Sequence, residues 1–217
     1  MYFHFKRVLD LLISLALLLV LSIIFLLISL IIKFNSSRGP ILYRGKRTSK
    51  NGGIFFVLKF RTMIVDAEHK GGFSTAINDE RLTSIGRFLR KYKLDELPQL
   101  INVLKGDMSL VGPRPQVSYY TDKYKGDEKL ILSIKPGITD LSSLIFLDMD
   151  KVLGAKNVDE KYENEIEPVK NKYRIEYAKT ISFKTDFIIL FCTFLAITGV
   201  GKKYIKNILS YTLNIKT

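Results

Sequence analysis

The chain has 217 residues, a formal charge of +13 and a hydrophobic content of 47%. That much apolar sequence excludes a disordered chain, one cysteine excludes a disulfide scaffold, and one cysteine with two histidines argues against a zinc site built from those residues. What remains is a basic protein with a mean hydropathy of +0.12, whose partners are anionic: a membrane, a substrate or a nucleic acid.

The hydrophobic excess is concentrated near the N-terminus. From Leu11 to Ile32 the run LLISLALLLVLSIIFLLISLII carries no charge. As a helix it is about 33 Å long, enough for a hydrocarbon core of roughly 30 Å. It exceeds a signal-peptide core and no small-residue cleavage site follows, so it reads as an uncleaved membrane helix. Lys6 and Arg7 precede it, and Lys33, Arg38, Arg44, Lys46, Arg47 and Lys50 follow it. The positive-inside rule puts the richer side, and the rest of the chain, in the cytoplasm. The N-terminal flank is basic too, so a helix that enters and leaves by one face satisfies both flanks. Spanning and re-entrant geometries both stay open. Asp10 is expected to pair with Lys6 or Arg7 one turn away.

Gly39-Pro40 starts a new element. Ile41 to Tyr43 is a strand, Asn51-Gly52 is a hairpin turn, and Ile54 to Leu58 is the return strand, running into Lys59-Phe60-Arg61-Thr62-Met63. Asp66 to Asp79 is a polar loop. Leu82 to Tyr92 is a helix with Ile85, Phe88 and Leu89 on one face and Arg81, Arg87, Arg90 and Lys91 on another. There is no P-loop, no G-x-G-x-x-G and no H-E-x-x-H.

The segment Asp95 to Lys105 (DELPQLINVLK) is an amphipathic helix, with Leu97, Leu100, Ile101 and Leu104 on one face. Pro98 belongs in its first turn. That places Asp95 at or next to the N-cap and Glu96 in the first turn, and Gly106 ends the helix. At a helix N-terminus the dipole keeps carboxylates ionised. The plain interpretation is a cap with a neighbouring acid; the sharper one is a nucleophile and metal ligand facing a phosphate. Arg81, Arg87, Arg90, Lys91 and Lys93 lie just before the pair, and Val111-Gly112-Pro113-Arg114-Pro115 just after the helix. Flanking prolines restrict Arg114 to an extended backbone, ready to fork onto phosphate oxygens or to form an ordinary salt bridge. An acid pair amid fixed cations suits a metal-bridged diphosphate.

Phe187 to Thr198 is apolar but, at about 18 Å, too short to span a membrane; it is a core helix or an interfacial one. Lys202, Lys203 and Lys206 alternate with Tyr204, Ile205, Ile208 and Leu209, a basic amphipathic stretch suited to anionic headgroups. Cys192 is expected to be inert packing. Tyr119, Tyr120, Tyr124, Tyr162, Tyr173 and Tyr177 are expected to pack. The fold class is α/β (α+β): a small, mainly helical domain with a short β-hairpin (39–186), an anchor helix before it (1–38) and membrane-associated helices after it (187–217).

The runs Lys59-Phe60-Arg61-Thr62-Met63, Leu94-Asp95-Glu96-Leu97-Pro98-Gln99-Leu100, Asn102 through Pro115 and Lys135-Pro136-Gly137-Ile138-Thr139 closely resemble the bacterial sugar transferase family, the monotopic phosphoglycosyl transferases. The resemblance extends from Lys6-Arg7-x-x-Asp10 to Ser182-Phe183-x-x-Asp186. It implies transfer of a sugar-1-phosphate from a nucleoside diphosphate sugar, of UDP type, to undecaprenyl or another polyprenol phosphate. The step takes place at the bacterial cytoplasmic membrane, with the catalytic domain facing the cytoplasm. It further implies that Asp95 is the nucleophile and a Mg²⁺ ligand, Glu96 its partner, and Arg90, Arg114, Lys59 and Arg61 phosphate- or nucleotide-binding residues. The implied partners are the nucleotide sugar, the polyprenol phosphate and the anionic inner leaflet, with room for a homodimer; nucleic acid is not among them. The chain departs from the family pattern at Ser22-Ile23, where small members carry Ser-Pro, and at Thr139-Asp140-Leu141-Ser142-Ser143, where many carry Gly-x-x-Gln.

Overall fold

The structure is a computed structural model that describes residues 2–35, 39–67, 79–147, 157–199 and 201–213. The apolar N-terminal run is not one straight helix. It folds as α1 (Tyr2–Val20) and α2 (Ser22–Asn35), bent by 61° at Leu21. No single helix among the described residues is long and apolar enough to cross a membrane; the bent pair together has the length and composition. The bend needs neither proline nor glycine, because tertiary packing sets it. Leu18 of α1 packs on the main core, whereas Phe25, Ile28 and Ile32 of α2 pack on a second cluster with Phe60 and Leu89. A straight rod cannot serve both. Within α2 the Ser29 hydroxyl donates to the Phe25 carbonyl at 2.7 Å.

The flanking charges of α1 also find other partners than expected. Asp10 is buried and accepts from Ser109 Oγ at 2.8 Å and from the Leu110 N–H at 3.1 Å. Arg7 donates to the carbonyls of Val103 and Leu104, at 2.6 and 3.0 Å, and Lys6 pairs with Asp186. Each of these partners is remote in sequence, so local spacing could not show them.

Strands β1 (Leu42–Thr48) and β2 (Ile54–Phe60) form the expected antiparallel hairpin, with Leu42 opposite Phe60 and Thr48 opposite Ile54. Asn51 (φ 57°) and Gly52 (φ 78°) make its turn. β1 runs past the apolar Ile41–Tyr43 because Arg44 and Lys46 point to water from a ladder covered on one side only. The loop expected from Asp66 to Asp79 falls mainly on 68–78, outside the described residues. Helix α3 (Ser84–Lys91) is capped by Thr83, whose Oγ1 accepts from the Gly86 N–H at 3.0 Å. Leu89 is buried as its spacing predicts, but Phe88 is not: it is 51% exposed and meets the Tyr92 ring at a tilt, with centroids 4.9 Å apart.

Helix α4 (Gln99–Lys105) ends at Gly106 (φ 92°), in the left-handed region glycine favours. Strand β3 (Ser109–Val111) lies parallel to β4 (Gly137–Thr139). Short helices α5 (Ser118–Thr121) and α6 (Leu141–Ile145) flank β4 in sequence. Helix α7 (Val158–Lys161) runs through a π-turn, Tyr162–Ile166, into α8 (Glu167–Thr180). Helices α9 (Phe183–Ile197) and α10 (Lys202–Leu213) close the described chain.

The main core joins Val57, Leu100, Val103 and Met108 to Ile189 and Cys192 of α9 and Ile205 and Leu209 of α10. Core and interfacial assignments for α9 therefore each describe one face. Ile189 and Cys192 point in, while Phe183, Phe187, Phe191 and Phe194 point out. Helix α10 is likewise split, with Ile205 and Leu209 buried and Tyr204 and Tyr211 exposed. Of the tyrosines, Tyr120, Tyr124 and Tyr177 are buried and Tyr119 is exposed.

Candidate active site

The acid pair sits one turn earlier than the sequence suggests. Asp95 and Glu96 occupy a 3₁₀ turn, Leu94–Glu96, and α4 proper starts at Gln99 behind Pro98. Lys93 enters the turn in the left-handed conformation (φ 57°), and i→i−3 bonds run from Glu96 to Lys93 and from Leu97 to Leu94, both at 3.3 Å. Pro98 has no N–H to continue an α-ladder, which keeps this turn tight. Asp95 is not an N-cap: the cap position of α4 is Pro98, with no side-chain cap bond.

The two carboxylates have opposite surroundings. Both oxygens of Glu96 are committed: Oε2 accepts from Arg114 Nη1 at 3.0 Å, and Oε1 accepts from Arg114 Nη2 and from Lys59 Nζ, the latter at 2.8 Å. The salt bridge that was the plainer possibility for Arg114 is thus present, with Glu96 as its partner. Asp95 is 5% exposed, and its Oδ1 is buried with no hydrogen-bond partner among the described residues. Burial would raise Glu96, but Arg114 and Lys59 overwhelm it and hold the carboxyl well below the usual range. For Asp95 burial dominates and pushes the carboxyl up, reinforced by Glu96 and opposed by Lys59, Arg90 and Lys93. The cations, rather than a helix dipole, thus favour the Glu96 carboxylate, and α4 starts at Gln99, past both acids.

Arg90 lies at the end of α3, its Nε donating to Thr62 Oγ1 at 3.0 Å. Gly86 lets α3 approach this closely, since a Cβ there would sit 1.9 Å from the Thr62 carbonyl oxygen. Lys59 comes from β2, which Asn102 of α4 clamps: its Oδ1 accepts from the Leu58 N–H at 2.9 Å and its Nδ2 donates to the Phe56 carbonyl at 2.8 Å. The Arg114 loop is held by the Gly137 N–H on the Pro113 carbonyl, at 3.0 Å. A Cβ at Gly137 would meet the Gly112 nitrogen at 2.1 Å, so this loop contact needs glycine. Lys59, Arg90, Asp95, Glu96 and Arg114 therefore converge. Arg61, on the same run as Lys59, is buried beside Gly39 and Val65.

Among the described residues no group of three or more His, Cys, Asp or Glu could hold a metal. The orphaned Oδ1 of Asp95 nevertheless fits Mg²⁺, which is commonly held by one or two carboxylates together with substrate phosphates and water. Sequence reasoning missed Thr62, Asn102 and Asp140. Asp140 caps α6 through the Ser143 N–H at 2.9 Å and receives the Arg114 N–H at 3.4 Å. A polar Asn102 between the apolar Ile101 and Val103 was the available signal for the clamp.

A family model of the bacterial sugar transferases matches residues 1–199. The undecaprenyl-phosphate galactose phosphotransferase of Salmonella typhimurium is 41% identical over 152 residues, covering 63% of this chain and 31% of the relative. The UDP-glucose:undecaprenyl-phosphate glucose-1-phosphate transferase of Klebsiella pneumoniae is 36% identical over 192 residues, 87% of this chain and 39% of the relative. The UDP-N-acetylgalactosamine-undecaprenyl-phosphate N-acetylgalactosaminephosphotransferase of Aeromonas hydrophila is 31% identical over 206 residues, 93% of this chain and 46% of the relative. The chain thus spans less than half the length of each of these three relatives.

Proposed function

The chain belongs to the bacterial sugar transferase family, and from that premise we propose that it moves a sugar-1-phosphate from a nucleoside diphosphate sugar to polyprenol phosphate through a covalent intermediate on Asp95. One observation carries the assignment of the nucleophile: Asp95 Oδ1 is buried without a partner, while both oxygens of Glu96 are engaged by Arg114 and Lys59. The Asp95 oxygen attacks the β-phosphorus of the donor. The bond from that phosphorus to the bridging oxygen breaks, and the nucleoside monophosphate leaves with the oxygen and its electron pair. An oxygen of polyprenol phosphate then attacks the same phosphorus, and the Asp95 carboxylate is released. Lys59, Arg90 and Arg114 line the space where the phosphoryl charge develops, and Glu96 fixes the fork of Arg114. A Mg²⁺ ion, which Asp95 would hold together with the donor's own phosphates, would neutralise the diphosphate charge that otherwise repels the attacking carboxylate. Relatives named for UDP-glucose and UDP-N-acetylgalactosamine support a UDP-linked donor.

The acceptor is a lipid, and the chain has a surface for it. Large apolar side chains stand exposed along α1 and α2, Leu19, Val20, Ile23 and Leu26 among them, and along α9 at Phe187, Phe191 and Phe194. We infer that the α1–α2 pair re-enters rather than spans. Its first residues touch the folded body, Arg7 on α4 and Lys6 on Asp186, and its last turns pack on Phe60 and Leu89 of the same body. A spanning helix would separate these ends by a bilayer. The basic flanks favour the cytoplasmic face.

The test is a purified, nanodisc-embedded protein with Mg²⁺, undecaprenyl phosphate and a panel of UDP-glucose, UDP-galactose and UDP-N-acetylgalactosamine. Nucleotide monophosphate should appear, up to one equivalent without the lipid, with a matching mass adduct on Asp95. Full activity of Asp95→Asn, or release from none of the donors, ends the proposal. Reporters at residue 1 and just after Ile32 should lie on one side of the membrane.

A further inference from the structure

A second cluster of charge lies behind Arg114. Arg174 of α8 is fully buried and gives Nη1 to Glu167 and Asn171, both at 2.8 Å, but its Nε and Nη2 have no partner among the described residues. The Asp140 carboxylate is 3.9 Å from Nε, too far for a hydrogen bond, and its Oδ2 is already shared by the Ser142 hydroxyl at 2.5 Å and the Arg114 N–H at 3.4 Å. One helical turn before Arg174 stands Lys170, 6% exposed. Its Nζ makes no hydrogen bond or ion pair among the described residues; it lies 5.8 Å from the Phe146 ring and 5.7 Å from the Tyr162 ring. Gln116, two residues past Arg114, donates to the Tyr162 hydroxyl at 2.7 Å and to Glu167 at 3.0 Å. The loop that carries Arg114 is therefore tied into this cluster.

Among the described residues, Lys170 Nζ and Arg174 Nε and Nη2 are donors without an acceptor. A buried ammonium kept for packing needs a carboxylate to offset its lost hydration, and both nearby carboxylates, Asp140 and Glu167, are engaged elsewhere. The missing acceptor is one that arrives with a ligand. We propose that Lys170 binds the phosphate of the departing nucleotide, holding the α-phosphate of the nucleoside diphosphate sugar as the bond to the β-phosphorus breaks. This rests on the transferase function proposed above and adds to it the residue that selects and releases the nucleotide half of the donor. Both substrates carry phosphate, and position favours the soluble one. Lys170 lies about 15 Å of helix before the end of α8, whereas the exposed apolar face of α9 begins beyond that end, at Phe183. Burial, with Arg174 and Arg114 nearby and only partly offset by Asp140 and Glu167, lowers the free amine to about 7, as befits an ammonium whose counter-ion is absent until a ligand binds.

Lys170→Met and Lys170→Arg, made in the full chain and compared in nanodiscs, test this with whichever UDP-sugar the wild type uses. Lys170→Met should raise the donor KM at least tenfold and weaken uridine monophosphate binding, measured by titration calorimetry, by a similar factor. The KM for undecaprenyl phosphate and the melting temperature should stay unchanged, and Lys170→Arg should remain within threefold of wild type. An unchanged donor KM overturns the proposal, as does a rise confined to the lipid KM, or equal losses in both variants that follow a lowered melting temperature. A wild type that releases no nucleotide defeats the transferase reading itself, a result distinct from any of these.

Discussion

Replacing Glu96 by glutamine removes one charge and keeps the shape, so it isolates the electrostatic role of the pair. Glu96 accepts three bonds, two from Arg114 and one from Lys59. Its side chain is 12% exposed, against 31% for Arg114 and 22% for Lys59. Removing one partner of a fully buried pair costs about 3–5 kcal/mol because the remaining charge is stranded. The partial exposure of Arg114 and Lys59 lets water take up some of that, which brings the figure to about 2–3 kcal/mol. At about 2–4 °C per kcal/mol for a chain of this size, the melting temperature should fall by about 5–10 °C, followed by circular dichroism. In a double-mutant cycle with Arg114→Gln the coupling should exceed about 1.5 kcal/mol. The pH dependence has a definite sign. The folded carboxyl lies below its unfolded value of about 4.3, so its contribution is complete above that value and is lost only as pH falls through the depressed one. The gap between wild type and variant should be flat from neutral pH down to about 5 and close below it. A melting temperature within a degree of wild type, or an additive cycle, would refute the claim that Glu96 neutralises two partly buried cations.

Asp95→Asn should abolish transfer yet raise the melting temperature by a few degrees, about 1 kcal/mol. Burial pushes the Asp95 carboxyl up, so its ionised form costs stability at pH 7, and that cost disappears as pH falls through the raised value; a destabilised variant contradicts this. Gly86→Ala should displace α3 from the Thr62 carbonyl and with it Arg90, lowering turnover at least tenfold in the nucleotide-release assay. Asp10→Ala leaves the buried Leu110 N–H without its acceptor, and chemical denaturation should show a loss of about 1–3 kcal/mol. Phosphate binding recharges Lys170, so the donor KM should rise as pH climbs above about 7, and Lys170→Met should lose that dependence.

The hairpin and its Asn51-Gly52 turn, the α4 stop at Gly106 and the acid pair amid cations were all legible, because each depends on residues adjacent in sequence or spaced by one helical turn. What the sequence hid depends on long-range contact. Asp10 has its expected partners within one turn, yet it bonds Ser109 and Leu110, about a hundred positions away. Strands β3 and β4 are three residues each, too short for a period to show. Phe88 fits the apolar face by spacing but meets no second layer there. The site was legible in composition and not in roles. Nothing in the string Asp95-Glu96 says which carboxylate is free; only the fork of Arg114 across β3 and the Asn102 clamp on β2 decide it.

The bend at Leu21 is a case where packing replaces chemistry. Ser22-Ile23 lacks the proline that kinks helices most simply. Yet Asp10 fixes α1 to β3, Leu18 to the main core, and Ile28 and Ile32 to the cluster under β2. The strand that Asp10 grips leads directly to Gly112-Pro113-Arg114, and Arg7 holds the carbonyls at the end of α4, the helix that follows Asp95-Glu96. The residues at the base of the apolar limb are thus the same ones that hold the segments carrying Asp95, Glu96 and Arg114. If the limb enters the bilayer as inferred, the depth of insertion and the height of Asp95 above the lipid surface are one mechanical quantity. An acceptor whose phosphate lies at that surface needs them to be.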